Sequence, residues 1–155
     1  CLIHQPSYNM FNRWIEEDNL LATLEDLGVG SIAFTPLAQG MLTKKYLSGV
    51  PNYSRAMQGK SLDRNKIKPE LVKALNKLNT IASSRGQSLA QMALAWVLRG
   101  GRVTTALIGA SKSEQVLDCV GAIENLNFTE DELSEIDRLS GDLGINLWAA
   151  SSEIQ

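Results

Sequence analysis

The sequence predicts an α/β fold of consecutive strand–helix units, forming part of a larger barrel rather than a whole one. Three observations carry that expectation. Short apolar or β-branched runs alternate with longer stretches in which apolar residues recur at three- and four-residue steps, an order that implies parallel strands joined by right-handed crossovers. Capping-box patterns stand just before several of those stretches, where a hydroxyl and a carboxyl or amide satisfy the first free N–H groups of a helix. Only three strand candidates are present, too few to close a barrel, and an open sheet of three would leave two bare edges.

The first strand candidate is Leu2–Gln5. Cys1-Leu2-Ile3-His4 is apolar from the outset, so the chain reads as one that begins inside a strand; it lacks the basic region and apolar core of a signal peptide. Leu20, Leu21, Leu24 and Leu27 share a helix face, and Gly28 supplies a left-handed C-cap. Ser31–Thr35 is the second strand, with a helix expected to begin near Met41. The connection from Leu37 to Pro69 is rich in Gly, Ser, Tyr and basic residues, and a connection of that length usually serves as a lid or binding loop. Leu71, Leu75, Leu78 and Ala82 mark the next helix, closed by Gly86. Leu89, Met92, Ala93, Trp96 and Val97 form the densest stripe. Thr104–Ile108 is the third strand; Val116, Val120 and Ile123, then Leu133, Ile136 and Leu139, mark the last two helices. The capping boxes are Ser88–Gln91, Ser111–Glu114 and Thr129–Glu132.

Composition narrows the function classes. Over 155 residues, 44% hydrophobic and 21% charged, the balance is that of a globular domain. A formal net charge of -2 argues against a nucleic-acid surface, and no apolar run approaches the ~20 residues of a membrane span. Cys1 and Cys119 have neither disulfide-framework nor metal-ligand spacing, and read as reduced thiols of a cytoplasmic protein.

Two strand exits could carry chemistry. In Phe34-Thr35-Pro36-Leu37-Ala38-Gln39-Gly40, small residues and a glycine let backbone N–H groups approach an anion, with a following helix offering its positive end. Phe34 would sit at the strand tip, where it could stack on a flat ring; the plain alternative is a tight turn with a core Phe. In Ile108-Gly109-Ala110-Ser111-Lys112-Ser113, Gly109 permits close approach and Ser111 caps a helix. In an eight-stranded barrel the loops after strands seven and eight are those that most often bind phosphate. Lys45 and Arg55 could reach phosphates held between the two loops, or lie solvated on the surface. His4, the only histidine, reads as structural.

The segments Gln5-Pro6-Ser7-Tyr8-Asn9, Phe34 to Gly40, Pro51-Asn52-Tyr53-Ser54-Arg55, Leu89 to Trp96 and Ile108-Gly109-Ala110-Ser111 resemble, in this order and across essentially the whole chain, the C-terminal half of the aldo-keto reductases. The likeness is to the branch containing the bacterial L-glyceraldehyde 3-phosphate reductases and the β-subunits of voltage-gated potassium channels. The tail Asn146 to Ser152 is similar to the bacterial members.

The resemblance implies a (β/α)8 TIM barrel, with residues 1–155 as the C-terminal portion of one domain: about three βα units and a C-terminal helix. It also implies NADP(H) lying across the strand ends. Gln5 would hold the nicotinamide carboxamide and Phe34 would stack on its ring. Thr35, Pro36, Leu37, Ala38, Gln39 and Gly40 would wrap the ribose and pyrophosphate, while Lys45 and Arg55 contact phosphates. Gly109, Ser111, Gln115 and Asp118 would line the adenosine end. Two positions depart from the family: Ala110 stands where many members have Lys, and Cys119 where the channel β-subunits have Asn. The family's catalytic Tyr, Lys, Asp and His belong to the first half of the barrel and match nothing here; Tyr8, Tyr46 and Tyr53 do not replace them. The expected function is NADPH-dependent reduction of small aldehydes by the intact protein, such as glyceraldehyde 3-phosphate or methylglyoxal-like compounds, this chain being inactive alone. The alternative is an NADP-binding regulatory or sensor subunit. The expected partners are the N-terminal portion of the barrel and the aldehyde, with a homo-oligomer left open.

Overall fold

The computed structural model describes residues 1–49 and 67–141. Arg55, the rest of the Pro51–Arg55 segment and the Asn146–Ser152 tail lie outside the described residues.

The three expected strands form, each shorter than its apolar run: β1 (Ile3–His4), β2 (Gly30–Ala33) and β3 (Thr105–Ala106). They are parallel, in the order β1-β2-β3, with His4 opposite Ser31 and Ala33 opposite Ala106. A further parallel bridge joins Ser7 to Phe34, continuing the β1–β2 pairing toward the strand exits. Side chains alternate along β2: Ser31 and Ala33 are fully buried, while Gly30 and Ile32 are only partly covered on the opposite face. Gly30 is tightly placed, since a Cβ there would lie 3.3 Å from Thr104 Oγ1.

Six α-helices are described: α1 (Trp14–Glu17), α2 (Leu20–Asp26), α3 (Pro69–Ser84), α4 (Leu89–Leu98), α5 (Ser113–Val120) and α6 (Glu130–Ser140). α1 carries no periodic signal in the sequence, because four residues are too few to show one. α2 ends as expected at Gly28 (φ 65°): Gly28 N donates to Glu25 O and Val29 N to Leu24 O, the paired bonds of a Schellman cap. α3 closes in the same way at Gly86 (φ 70°), with Gln87 N donating to Ala82 O. The expected stripes of α3 and α4 are buried throughout. Together with Tyr8, Met10, Met41, Leu42, Tyr46, Ile136 and Leu139 they make one core between β2 and the helices.

Four local expectations are corrected. No α-helix begins near Met41; the chain makes two short 3₁₀ turns instead, Ala38–Gly40 and Lys44–Tyr46, with Thr43 Oγ1 capping the second. Capping boxes form at Ser88–Gln91 and Thr129–Glu132, but α5 is capped by Lys112 without a side-chain bond, and Ser111 is engaged elsewhere. Leu27 leaves its helix face at the C-cap and is 70% exposed. The α5 stripe faces outward: Val116, Val120 and Ile123 are 43%, 55% and 63% exposed, and Leu117 beside them is 72%.

Candidate functional site

Because the strands are parallel, all three exits lie along one edge of the sheet. Gln5 leaves β1, Phe34 leaves β2 beside it, and the Leu107–Gly109 segment leaves β3, with Leu107 N donating to Ala33 O. The sequence-predicted loops are therefore neighbours, as a groove across the strand ends requires.

At the β2 exit the backbone is strained. Thr35, Ala38, Gln39 and Gly40 have φ of 56°, 48°, 57° and 92°. Left-handed conformations of non-glycine residues cost of order 1–3 kcal/mol each and persist where the surroundings over-determine them, typically at ligand clamps. Thr35 O accepts from Ala38 N at 2.9 Å, and Leu37 O from Gly40 N at 2.9 Å. These two amides are thus spent inside the turn rather than offered to an anion. Phe34 is half-buried and Pro36 buried, so the aromatic is neither a core residue nor free. Gln39 Oε1 is buried without a hydrogen-bond partner among the described residues, an acceptor whose desolvation the loop itself does not compensate.

At the β3 exit, Gly109 and Ser111 are exposed, and a Cβ at Gly109 would meet nothing within 4 Å. Among the described residues, nothing crowds this backbone. Gln115 Oε1 accepts from Ser111 N at 2.8 Å and Ser111 Oγ at 3.2 Å, so two of the predicted residues are joined. Asp118 accepts from Ser88 Oγ at 3.1 Å, which ties α5 to the start of α4. Lys45 is exposed on the second 3₁₀ turn, its Nζ 5.7 Å from the Tyr46 ring centre. His4 Nε2 is buried and unpartnered. Tyr8 and Tyr46 are 1% exposed, so neither phenol is presented on the surface of the chain. Among the described residues no group of acidic, Cys or His side chains could hold a metal.

Beneath the β2 exit lies a buried polar cluster that the sequence did not disclose. Asn9 Nδ2 donates to Thr35 O at 3.0 Å, while Asn9 Oδ1 accepts from Phe11 N. Asn12 Nδ2 donates to Ser7 Oγ at 3.0 Å, and Ser7 Oγ lies 2.9 Å from Thr35 Oγ1, which reaches Phe34 O at 2.7 Å. Ser7, Asn9 and Asn12 are 5%, 5% and 4% exposed. The cluster joins the segment after β1 to Thr35, 26 residues on from Asn9.

On the other side of the same segment, Tyr8 points the opposite way. Its ring lies 5.3 Å from that of Trp96, and its hydroxyl donates to Glu16 and accepts from Arg99 at 2.9 Å. The Arg13 and Arg99 guanidiniums sit 5.1 and 3.7 Å from the Trp96 ring, cation–π contacts that also pair with Glu16. Burial would raise the Glu16 carboxyl, but hydrogen bonds from Tyr8 and Arg13 and the Arg99 charge outweigh it and hold the group below its ordinary value. Burial pushes the Tyr8 phenol up, with the Arg99 charge opposing it. A cleft of about 360 Å³ borders these residues. Its arginines are already paired, Arg13 with Glu16 and Asp137, Arg99 with Glu16 and Arg102 with Glu25, so it reads as a structural ion network rather than a ligand site.

The family model described as the aldo/keto reductase family matches residues 1–140. The chain belongs to the aldo/keto reductase family. It is 51% identical to the L-glyceraldehyde 3-phosphate reductase of Escherichia coli (strain K12), over 98% of this chain and 45% of that protein. It is 35% identical to a probable voltage-gated potassium channel subunit beta of Oryza sativa subsp. japonica, over 79% of this chain and 38% of that one. A putative channel subunit beta of Schizosaccharomyces pombe is likewise 35% identical, over 87% and 41%. The chain thus spans less than half the length of these relatives. Family membership accounts for the order of the five segments noted in the sequence, and both kinds of protein expected from the resemblance are among the relatives.

Proposed function

We propose that the intact protein is an NADPH-dependent aldo-keto oxidoreductase that reduces small aldehydes, and that this chain supplies most of its cofactor groove as the C-terminal portion of a (β/α)8 barrel. The observation that carries the reading is that three strand exits open at one end of the sheet: the segment after Gln5 is bonded to Phe34 through Pro6 and Tyr8, and the segment leading to Gly109 is bonded to Ala33 through Leu107. The residues present fit a dinucleotide: an aromatic half-open at the strand tip, a buried acceptor at Gln39 without a partner among the described residues, and an uncrowded backbone at Gly109. Gln5 would orient the carboxamide, Phe34 would face the ring, Thr35–Gly40 and Lys45 would hold the phosphates, and Ser111, Gln115 and Asp118 would hold the adenosine end. Arg55 would join Lys45 there. When bound, NADPH supplies the hydride. The proton donor, with its Lys, Asp and His, would come from the N-terminal portion of the barrel, which would also cover the open face of the sheet and the α5 stripe. In this reading the protein is cytoplasmic and the chain alone is inactive.

The name of the 51% relative favours a phosphorylated three-carbon aldehyde as substrate. Following NADPH consumption by the intact protein with glyceraldehyde 3-phosphate and with methylglyoxal tests this. Turnover on either supports the enzyme, and the better substrate sets the class. Cofactor retained through purification with turnover near the uncatalysed rate would move the protein to the alternative, an NADP-binding regulatory subunit, which the channel-subunit relatives favour.

A further inference from the structure

The Thr35 backbone is unfavourable on every local count. A β-branched residue at φ 56° is a genuine outlier. Thr35 also precedes Pro36, and the residue before a proline is driven toward extended backbone with negative φ. What holds it lies elsewhere in the chain. Asn9 donates to the Thr35 carbonyl. Since Thr35 Oγ1 donates to Phe34 O, its other bond must be accepted from Ser7 Oγ, which in turn accepts from Asn12 Nδ2. The relay therefore runs one way, Asn12 to Ser7 to Thr35 to the Phe34 carbonyl, with each hydroxyl accepting one bond and donating one. Trp14 Nε1 donates to Ser7 O and anchors the segment from behind. Tyr8 N donates to the same Phe34 carbonyl.

We infer that Asn9 and Ser7 are positioning residues for the cofactor loop: they touch no ligand, and they hold Thr35 left-handed so that Phe34 and residues 36–40 stand at the groove. The inference rests on the cofactor reading above. Released from these bonds, Thr35 would relax to negative φ, and the turn that begins with Ala38 N donating to Thr35 O would lose its frame.

The test is a set of NADPH fluorescence titrations on the intact protein as wild type, Asn9→Ala, Thr35→Gly and the double variant, with kcat and KM for NADPH measured alongside. Asn9→Ala is expected to weaken NADPH binding by about tenfold or more and to raise KM for NADPH, while kcat at saturating cofactor stays within about threefold. Glycine adopts φ 56° without support. Whatever Thr35→Gly does by itself, adding Asn9→Ala to it is therefore expected to weaken binding by less than about threefold. Ser7→Ala, which breaks only the hydroxyl relay, is expected to act in the same direction as Asn9→Ala and is read in its place if that variant does not fold. Wild-type protein that fails to bind NADPH overturns the cofactor reading and this inference with it. Wild-type binding with an unchanged Asn9→Ala affinity, or with an Asn9→Ala effect equal in the wild-type and Thr35→Gly backgrounds, overturns the positioning role alone.

Discussion

Helices α4 and α5 both carry an apolar stripe at helical spacing, yet eight of the ten residues of α4 are buried and none of α5 is. The difference lies in what surrounds them. α4 is enclosed by α3, β3 and the turn after α5, and its Trp96 is held between Tyr8 and two guanidiniums. α5 touches α4 along one side, through Ser88–Asp118 and through Gly121, where a Cβ would sit 2.5 Å from Gln91 Nε2. Its other side meets nothing among the described residues that covers it. A periodic stripe states which face of a helix would gain from burial. It does not state whether the cover belongs to the same segment of chain.

That contrast can be broken in several ways. The largest effect is expected from Trp96→Ala, which removes a fully buried ring and the platform for Arg13 and Arg99. It should cost about 3–5 kcal/mol in the intact protein, read as a shift in the urea midpoint; a loss under ~1 kcal/mol would mean that the helix layer is not the stabilising core. Next comes Leu117→Ala, compared in two settings. In residues 1–155 alone it should change stability by less than about 0.5 kcal/mol, as exposed substitutions do. In the intact protein it should cost about 2–4 kcal/mol, because the rest of the barrel would cover it. Small effects in both settings would make the α5 stripe a free surface.

Ser88→Ala should cost about 1 kcal/mol, since it removes both the α4 cap and the bond to Asp118. Ser111→Ala should cost less, because Ser111 does not cap α5. The smallest effect is in pH dependence. Glu16 is held below its usual 4.5 in the folded state, so its stabilisation is complete above that pH and is lost as pH falls through the lower folded value. Glu16→Gln should therefore flatten the fall in urea midpoint below about pH 4.5, and equal slopes would remove Glu16 from the account.

The same contrast explains how far the sequence could be read. Elements that satisfy themselves locally were legible: the Gly28 and Gly86 caps, two capping boxes, and the α3 and α4 stripes. The parallel sense of the strands followed from alternation alone. What escaped was settled by partners far along the chain. Asn9 and Thr35 are 26 residues apart, and Tyr8 and Arg99 are 91 apart, so no local pattern announces either cluster. The segment after Gly40 reads as a helix start by composition, but Gln39 and Gly40 turn left-handed and the chain settles for 3₁₀ turns. Of the segments quoted for the resemblance, Gln5–Asn9, Phe34–Gly40 and Ile108–Ser111 fall on adjacent strand exits, whereas Leu89–Trp96 lies in α4. The strained geometry of Thr35 could not be anticipated, because its residue type argues against it.

On the proposed reading, these strand exits form a dinucleotide groove. Titrating NADPH into the intact protein, as wild type and as Phe34→Ala, and following nicotinamide fluorescence tests it most directly. Saturable wild-type binding at micromolar cofactor is expected, with about fivefold or greater weakening in the variant, in line with the ~1–3 kcal/mol lost when a stacked aromatic is truncated. No binding by the wild-type protein at micromolar NADPH, or equal binding by both proteins, would contradict it.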